Sequence, residues 1–183
     1  MIARLTKLPS RRIFSILSSL MIIFTLNSCG DYRSQETCGD SIAEGDKGRF
    51  EVDKDGFAKD TESGVVWYRC SAGQQYSNFR CKGEILYLSW DEAIDYAAEF
   101  SEKSGITWRL PTDNEMQSVT EDACVAPAIN HNAFPSIAVE NHWTSSKGLH
   151  QDIFRCAVNT YSGRLSCRQP RDVGQPFMLV RED

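Results

Sequence analysis

Cysteine is the residue type with the most chemistry to offer in this chain. It stands at positions 29, 38, 70, 81, 124, 156 and 167. Thiols ligate metals, attack electrophiles or pair as disulfides. No Cys-x-x-Cys occurs, and His131, His142 and His150 lack ligand spacing, so no metal site is expected. The number is odd, and Cys29 has a context of its own. A basic leader (Arg4, Lys7, Arg11, Arg12) precedes an apolar run over Ile13–Leu26. Those 14 residues fall short of the roughly 20 needed to span a bilayer. They suit a signal peptide, against the rival of a short uncut anchor helix. Leu26-Asn-Ser28 before Cys29 then reads as a lipobox. It predicts removal of residues 1–28 and a multiply acylated Cys29 that anchors stably to the membrane.

Six cysteines remain for an oxidising compartment, enough for three disulfides. If Val158 faces Leu165 across a turn at 159–163, then Cys156 faces Cys167. Cys70 and Cys81 bracket a polar stretch and would close a long loop. Cys38 and Cys124 are left as the third pair. Many other connectivities exist for six cysteines, so these local arguments are expectations.

Other reactive types form no constellation. No Gly-x-Ser-x-Gly, His-Glu-x-x-His or phosphate-binding loop occurs, so neither catalytic residues nor a cofactor is expected. Asp53 and Asp55 alternate as in a calcium loop, but the remaining ligands are missing and a Gly56 turn is expected. Over 141–183 the basic residues Lys147, Arg155, Arg164, Arg168, Arg171 and Arg181 outnumber the acidic ones. Arg155, Arg164 and Arg168 lie on or beside one hairpin, with Tyr161 at its turn. Guanidinium groups suit bidentate contact with sulfate or carboxylate, so these four form the candidate ligand-binding set. The rival is an ordinary solvated face. The formal net charge is −5, and loss of the leader makes the remainder more acidic. That argues against nucleic-acid binding.

These side chains need positioning. Residues 29–48 are polar and read as a lipidated cysteine and tether; 49–183 read as one domain. Ser89-Trp-Asp-Glu92 and Thr112-Asp-Asn-Glu115 are capping boxes opening two helices. Trp90, Ala93, Ile94, Ala97 and Phe100 share a face of the first; Met116 and Val119 turn the second inward. Short strands are expected over 49–52, 57–59, 65–68, 107–110, 141–146, 154–168 and 177–180. Helices in the middle and strands at both ends give an α+β fold.

An ordered set of motifs carries a resemblance. Arg49-Phe50…Asp55-Gly56, Ser63-Gly-Val-Val-Trp67, Ser89-Trp-Asp-Glu-Ala93, Trp108-Arg-Leu-Pro-Thr112-x-x-Glu115, Pro127-Ala-Ile-Asn-His-Asn-Ala-Phe-Pro135, Trp143-Thr-Ser-Ser146 and Leu179-Val-Arg181 together resemble the DUF1566, or Lcl C-terminal domain, family. The resemblance implies a small C-type-lectin-like domain, related to the formylglycine-generating fold, with two central helices packed on short antiparallel strands. It implies a bacterial envelope lipoprotein and, from the family's collagen-like adhesin, binding of sulfated glycans. No Gly-x-y repeat occurs here, so the trimerising segment of that adhesin has no counterpart and no oligomeric state follows. Gln169-Pro170 is followed by Arg171 and Trp-Asn-Asp is absent, so a calcium–sugar site is not expected. The expected function is a non-enzymatic glycan-binding lipoprotein. The alternative is an assembly lipoprotein that binds another envelope protein; an enzyme of the formylglycine-generating type is more remote. Gly30, where retention at the inner membrane would call for aspartate, favours the outer membrane.

Overall fold

The structure, a computed structural model, describes residues 35–182. The segment expected to be a signal peptide, Cys29 and the first residues of the expected tether lie outside the described residues. Antiparallel strands dominate. A five-stranded sheet runs β1 (Phe50–Val52), β2 (Phe57–Asp60), β3 (Val66–Tyr68), β10 (Val180–Arg181), β6 (Trp108–Arg109) in spatial order. A three-stranded meander joins β7 (Asn141–Lys147), β8 (Phe154–Asn159) and β9 (Arg164–Pro170). The strands β4 (Gln75–Ser77) and β5 (Arg80–Lys82) form a separate hairpin.

Both capping boxes form. In α2 (Trp90–Ser104) Ser89 N–H donates to Glu92 Oε2 at 2.9 Å, and Gly105 closes the helix at φ 71°. In α3 (Asp113–Ser118) Thr112 N–H donates to Glu115 Oε2 at 2.7 Å. Glu115 also receives both arms of the Arg109 guanidinium at 2.8 Å each. These bonds from Arg109 hold its carboxyl below the usual carboxylate range, against the opposing effect of burial. The second helix is thus only six residues long. A further short helix, α1 (Cys38–Ser41), lies inside the segment read as tether.

That segment is tied down from Gln35 onward. Cys38 N–H donates to Val125 O at 2.9 Å, and Val125 N–H to Glu36 O at 3.0 Å. Asn132 Nδ2 donates to the carbonyls of Ala43 and Asp46, both at 3.0 Å. A polar composition there reflects hydrogen bonding to the body as well as solvent exposure.

Two apolar clusters form the core. One gathers Phe50, Trp67, Ile129, Phe134 and Met178 with Met116 of α3 and Val119, which caps that helix. The other sets Ala93 and Ala97 of α2 against Trp143, Leu110, Phe177 and Leu179. Tyr68, Phe100 and Trp108 meet there at centroid distances of 5.5 to 6.0 Å. The apolar run 177–180 is buried as expected, yet only Val180 and Arg181 form strand β10. Its earlier part still bonds the end of β3 and the stretch after it, through Tyr68 N–H to Leu179 O at 2.9 Å and Ala72 N–H to Phe177 O at 3.0 Å.

The disulfides are Cys38–Cys124, Cys70–Cys81 and Cys156–Cys167. Val158 does face Leu165, and Cys156–Cys167 sits where a bulge shifts the register of β8 on β9.

Candidate functional site

The three segments 45–54, 69–79 and 131–135 enclose a cleft of about 440 Å³. Lys47, Lys54, Arg69 and His131 bring basic groups to it, and Tyr76 and Phe79 bring aromatic surface. Asp53 is the one carboxylate in the lining.

Each wall has a local cause. Asp53 turns β1 into β2: its Oδ1 accepts from Asp55 N–H at 3.0 Å and Phe57 N–H at 2.8 Å. The turn expected at Gly56 thus forms, with the Asp53 carboxylate as its acceptor. Gly56, at φ 95°, lets Tyr76 lie against this turn, since a Cβ there would stand 2.6 Å from the Tyr76 Cβ. Tyr76 belongs to the hairpin β4–β5, where it pairs with Cys81; the Cys70–Cys81 bond fastens that hairpin beside β3. The stretch 71–80, read as a polar loop, is in part this hairpin. Its two turn residues, Asn78 and Phe79, have φ of 51° and 63°. A hairpin turn with both centres left-handed is matched to the twist of its strands, but Phe is an uncommon occupant. Phe79 is 76% exposed at the cleft rim.

Arg69 joins two of the walls. It is buried, with Nε donating to Ala133 O at 2.7 Å and Nη2 to Asn132 O at 2.8 Å. Its Nη1 meets the Tyr76 hydroxyl, and its guanidinium lies 4.8 Å from the centre of that ring. Burial pulls its pKa below the ordinary value, while the Tyr76 contact and nearby Asp53 oppose the shift. Asn130 closes the opposite wall through Oδ1, which accepts from Asn132 N–H at 2.9 Å. Asn132 in turn fixes Gly45, whose N–H donates to its Oδ1 at 3.1 Å, and so positions Lys47. His131 Nδ1 is buried without a hydrogen-bond partner.

The candidate set read from the sequence does not converge. Arg155 is only 4% exposed. Its Nη1 donates to the carbonyls of Gln151 and Phe154, and its guanidinium covers the Trp90 ring at 4.3 Å. Arg155 is thus packed into the body, and the three arginines do not form one exposed face. Arg164 and Arg168 are exposed on β9, roughly 13 Å apart along the strand. Tyr161 is exposed at the β8–β9 turn. The six disulfide cysteines are placed as described above. Cys156 and Cys167 approach Asp113 closely, but both sulfurs are in a disulfide and offer no thiolate to a metal. His142 is fully buried on β7, away from the cleft lining.

Sequence reasoning missed the cleft because its three segments are far apart in the chain. A signal was present in Asn130-His-Asn132, which the ordered motifs include without giving it a role. Compared with known proteins, the chain matches a family model described as the Lcl C-terminal domain over residues 56–181. No curated protein matches it, and no solved structure does.

Proposed function

Because the chain belongs to the Lcl C-terminal domain family, we propose that it is a non-enzymatic binding module of the bacterial envelope, with acidic polysaccharide as its ligand. The observation that carries this reading is the cleft, where Lys47, Lys54 and Arg69 meet the aromatic surface of Tyr76 and Phe79. Ammonium and guanidinium groups attract sulfate or carboxylate, and an aromatic ring covers the apolar face of a sugar. The C-type-lectin-like relation that the family resemblance implies fits a module of this kind. In this reading the lipid on Cys29 holds the domain at the membrane, and Gly30 favours the outer one. Arg164, Arg168 and Tyr161 are an alternative face for the same ligand.

The test uses the full chain, expressed with its leader and purified in detergent. Binding to dextran sulfate and alginate is measured at low and high salt. The expected result is salt-sensitive binding that weakens at least ~10-fold in Lys47→Ala/Lys54→Ala. Loss in Arg164→Ala/Arg168→Ala instead moves the site to β9. Absence of binding to both polymers overturns the reading.

An assembly role, binding another envelope protein, has its own support. A groove of about 390 Å³ beside α2 and β6 is lined mainly by apolar side chains, among them Ile94, Ala97, Trp108 and Leu110. Capture of one envelope protein that is lost on Ala98→Glu would favour it over glycan binding.

A further inference from the structure

A third concavity, of about 380 Å³, has a different chemistry from both the basic cleft and the apolar groove. Four amides line it: Asn141 of β7, Asn159 of β8, Gln169 of β9, and Gln175 in the chain that follows. They bond one another. Asn159 Nδ2 donates to Asn141 Oδ1 at 3.0 Å, and Gln175 Nε2 donates to Gln169 Oε1 at 3.2 Å. Asn141 Nδ2 also reaches Gln169 Oε1, at 3.4 Å. This chain orients the amides but does not exhaust them. An amide nitrogen has two N–H donors, and among the described residues each of these four donates to a single side-chain oxygen. Gln175 is only 6% exposed, and its Oε1 has no hydrogen-bond partner. An unpaired buried acceptor is costly, so its retention points to a ligand donor.

The rim supplies what the amides lack. Glu140 places a carboxylate at the edge, with Oε1 accepting from the Tyr87 hydroxyl at 3.2 Å. Val139 and Val173 are exposed apolar walls, and Tyr87 itself is about half exposed. Gly174 lets the chain pass close to Tyr87: a Cβ there would stand 3.1 Å from the Tyr87 carbonyl oxygen. No lysine or arginine lines the pocket.

We propose that this pocket is a second ligand site, which takes an uncharged pyranose unit. A sugar hydroxyl is donor and acceptor at once, and a planar amide offers both roles in fixed geometry. Paired amides therefore match adjacent hydroxyls, while the valine and tyrosine surfaces cover ring C–H groups. A sulfated or carboxylated unit would gain no cation here and would meet Glu140. The site is independent of the basic cleft, so the chain holds two places for one polysaccharide or for two.

The test is a titration of the full chain in detergent, ¹⁵N-labelled, with soluble dextran, mannan, galactan and chitotetraose. The side-chain amide resonances of Asn141, Asn159, Gln169 and Gln175 report on the pocket. The expected result is a saturable shift of those resonances with at least one of the four, unchanged by salt. Affinity for that sugar should fall ~10-fold in Gln175→Leu and in Glu140→Ala, and should be unchanged in Lys47→Ala/Lys54→Ala. Glu140 is exposed, so its variant reads the site even where Gln175→Leu disturbs folding. Absence of a shift with all four sugars overturns the proposal. So does a shift that salt abolishes or that the lysine variant removes. Failure of the basic cleft to bind dextran sulfate leaves this result intact, so the two readings fail separately.

Discussion

His142 has the most constrained chemistry of any single residue in the described fold. Burial pushes its pKa from the ordinary 6.5 down to about 4, although its bond to the Glu140 carbonyl opposes this. Its Nδ1 lies 3.2 Å from that carbonyl oxygen, and Nε2 has no partner. Protonating Nε2 would leave a buried charged donor unpaired. The folded chain therefore keeps the neutral ring while the unfolded chain gains a proton once pH drops below about 6.5. The stability that neutral His142 confers is complete above that pH and is lost as pH falls from about 6.5 toward 4. Between pH 7.5 and 4.5 the loss should be roughly 2–3 kcal/mol. Glu115 and Asp60 have lowered pKa values, so their contribution is lost only at more acid pH. Urea midpoints at the two pH values check this: His142→Gln should show a much flatter dependence, and equal slopes for both proteins would refute it. At this scale the sequence is a poor guide to exposure. Arg155 and Arg69 have the same side chain as the exposed Arg164, yet both are buried, held mainly by backbone carbonyls and an aromatic ring. Nothing local in the sequence marks an arginine for that role.

Elements whose signals are local were legible. Ser89 with Glu92 and Thr112 with Glu115 each bond within one turn, so four residues suffice to announce a helix start. The Asp53–Gly56 turn was readable for the same reason. The hairpin β4–β5 was not, because its turn is Asn78-Phe79 where Asn-Gly would have signalled it. A left-handed non-glycine residue costs roughly 1–2 kcal/mol, and Phe79 adds the exposure of a large apolar ring. Strain of this kind is retained where function needs the side chain. Phe79→Gly should therefore stabilise the chain by about 1 kcal/mol while weakening its binding to dextran sulfate several-fold. Thermal melts and binding isotherms on the same preparation give both readouts. A variant that is more stable and binds equally well would make Phe79 a turn residue only.

At the scale of the whole molecule, long-range pairing decides what sequence patterns leave open. The order β1-β2-β3-β10-β6 places a strand from the end of the chain between two early ones, and no local periodicity encodes that placement. The cleft likewise rests on contacts between distant segments, since its walls come from 45–54, 69–79 and 131–135. A local charge count on the 154–168 hairpin could not reveal it. The cysteine parity was more informative, because a covalent link is a long-range constraint that can be counted from the sequence. Cys38–Cys124 spans 86 residues and pins the segment that bears Lys47. By loop-closure entropy it should contribute about 4.5 kcal/mol. Yet Lys47 is held more directly by the amides of Asn130 and Asn132, which bond Ala43, Gly45 and Asp46. Stability and binding should therefore separate in Cys38→Ser/Cys124→Ser. Its urea midpoint should fall markedly, while affinity for dextran sulfate below the transition should fall less than in Lys47→Ala/Lys54→Ala. Equal losses of affinity would mean that the disulfide, and not the two asparagines, positions the lysine; an unchanged midpoint would mean that the packed segment 35–48 needs no covalent link to stay on the body.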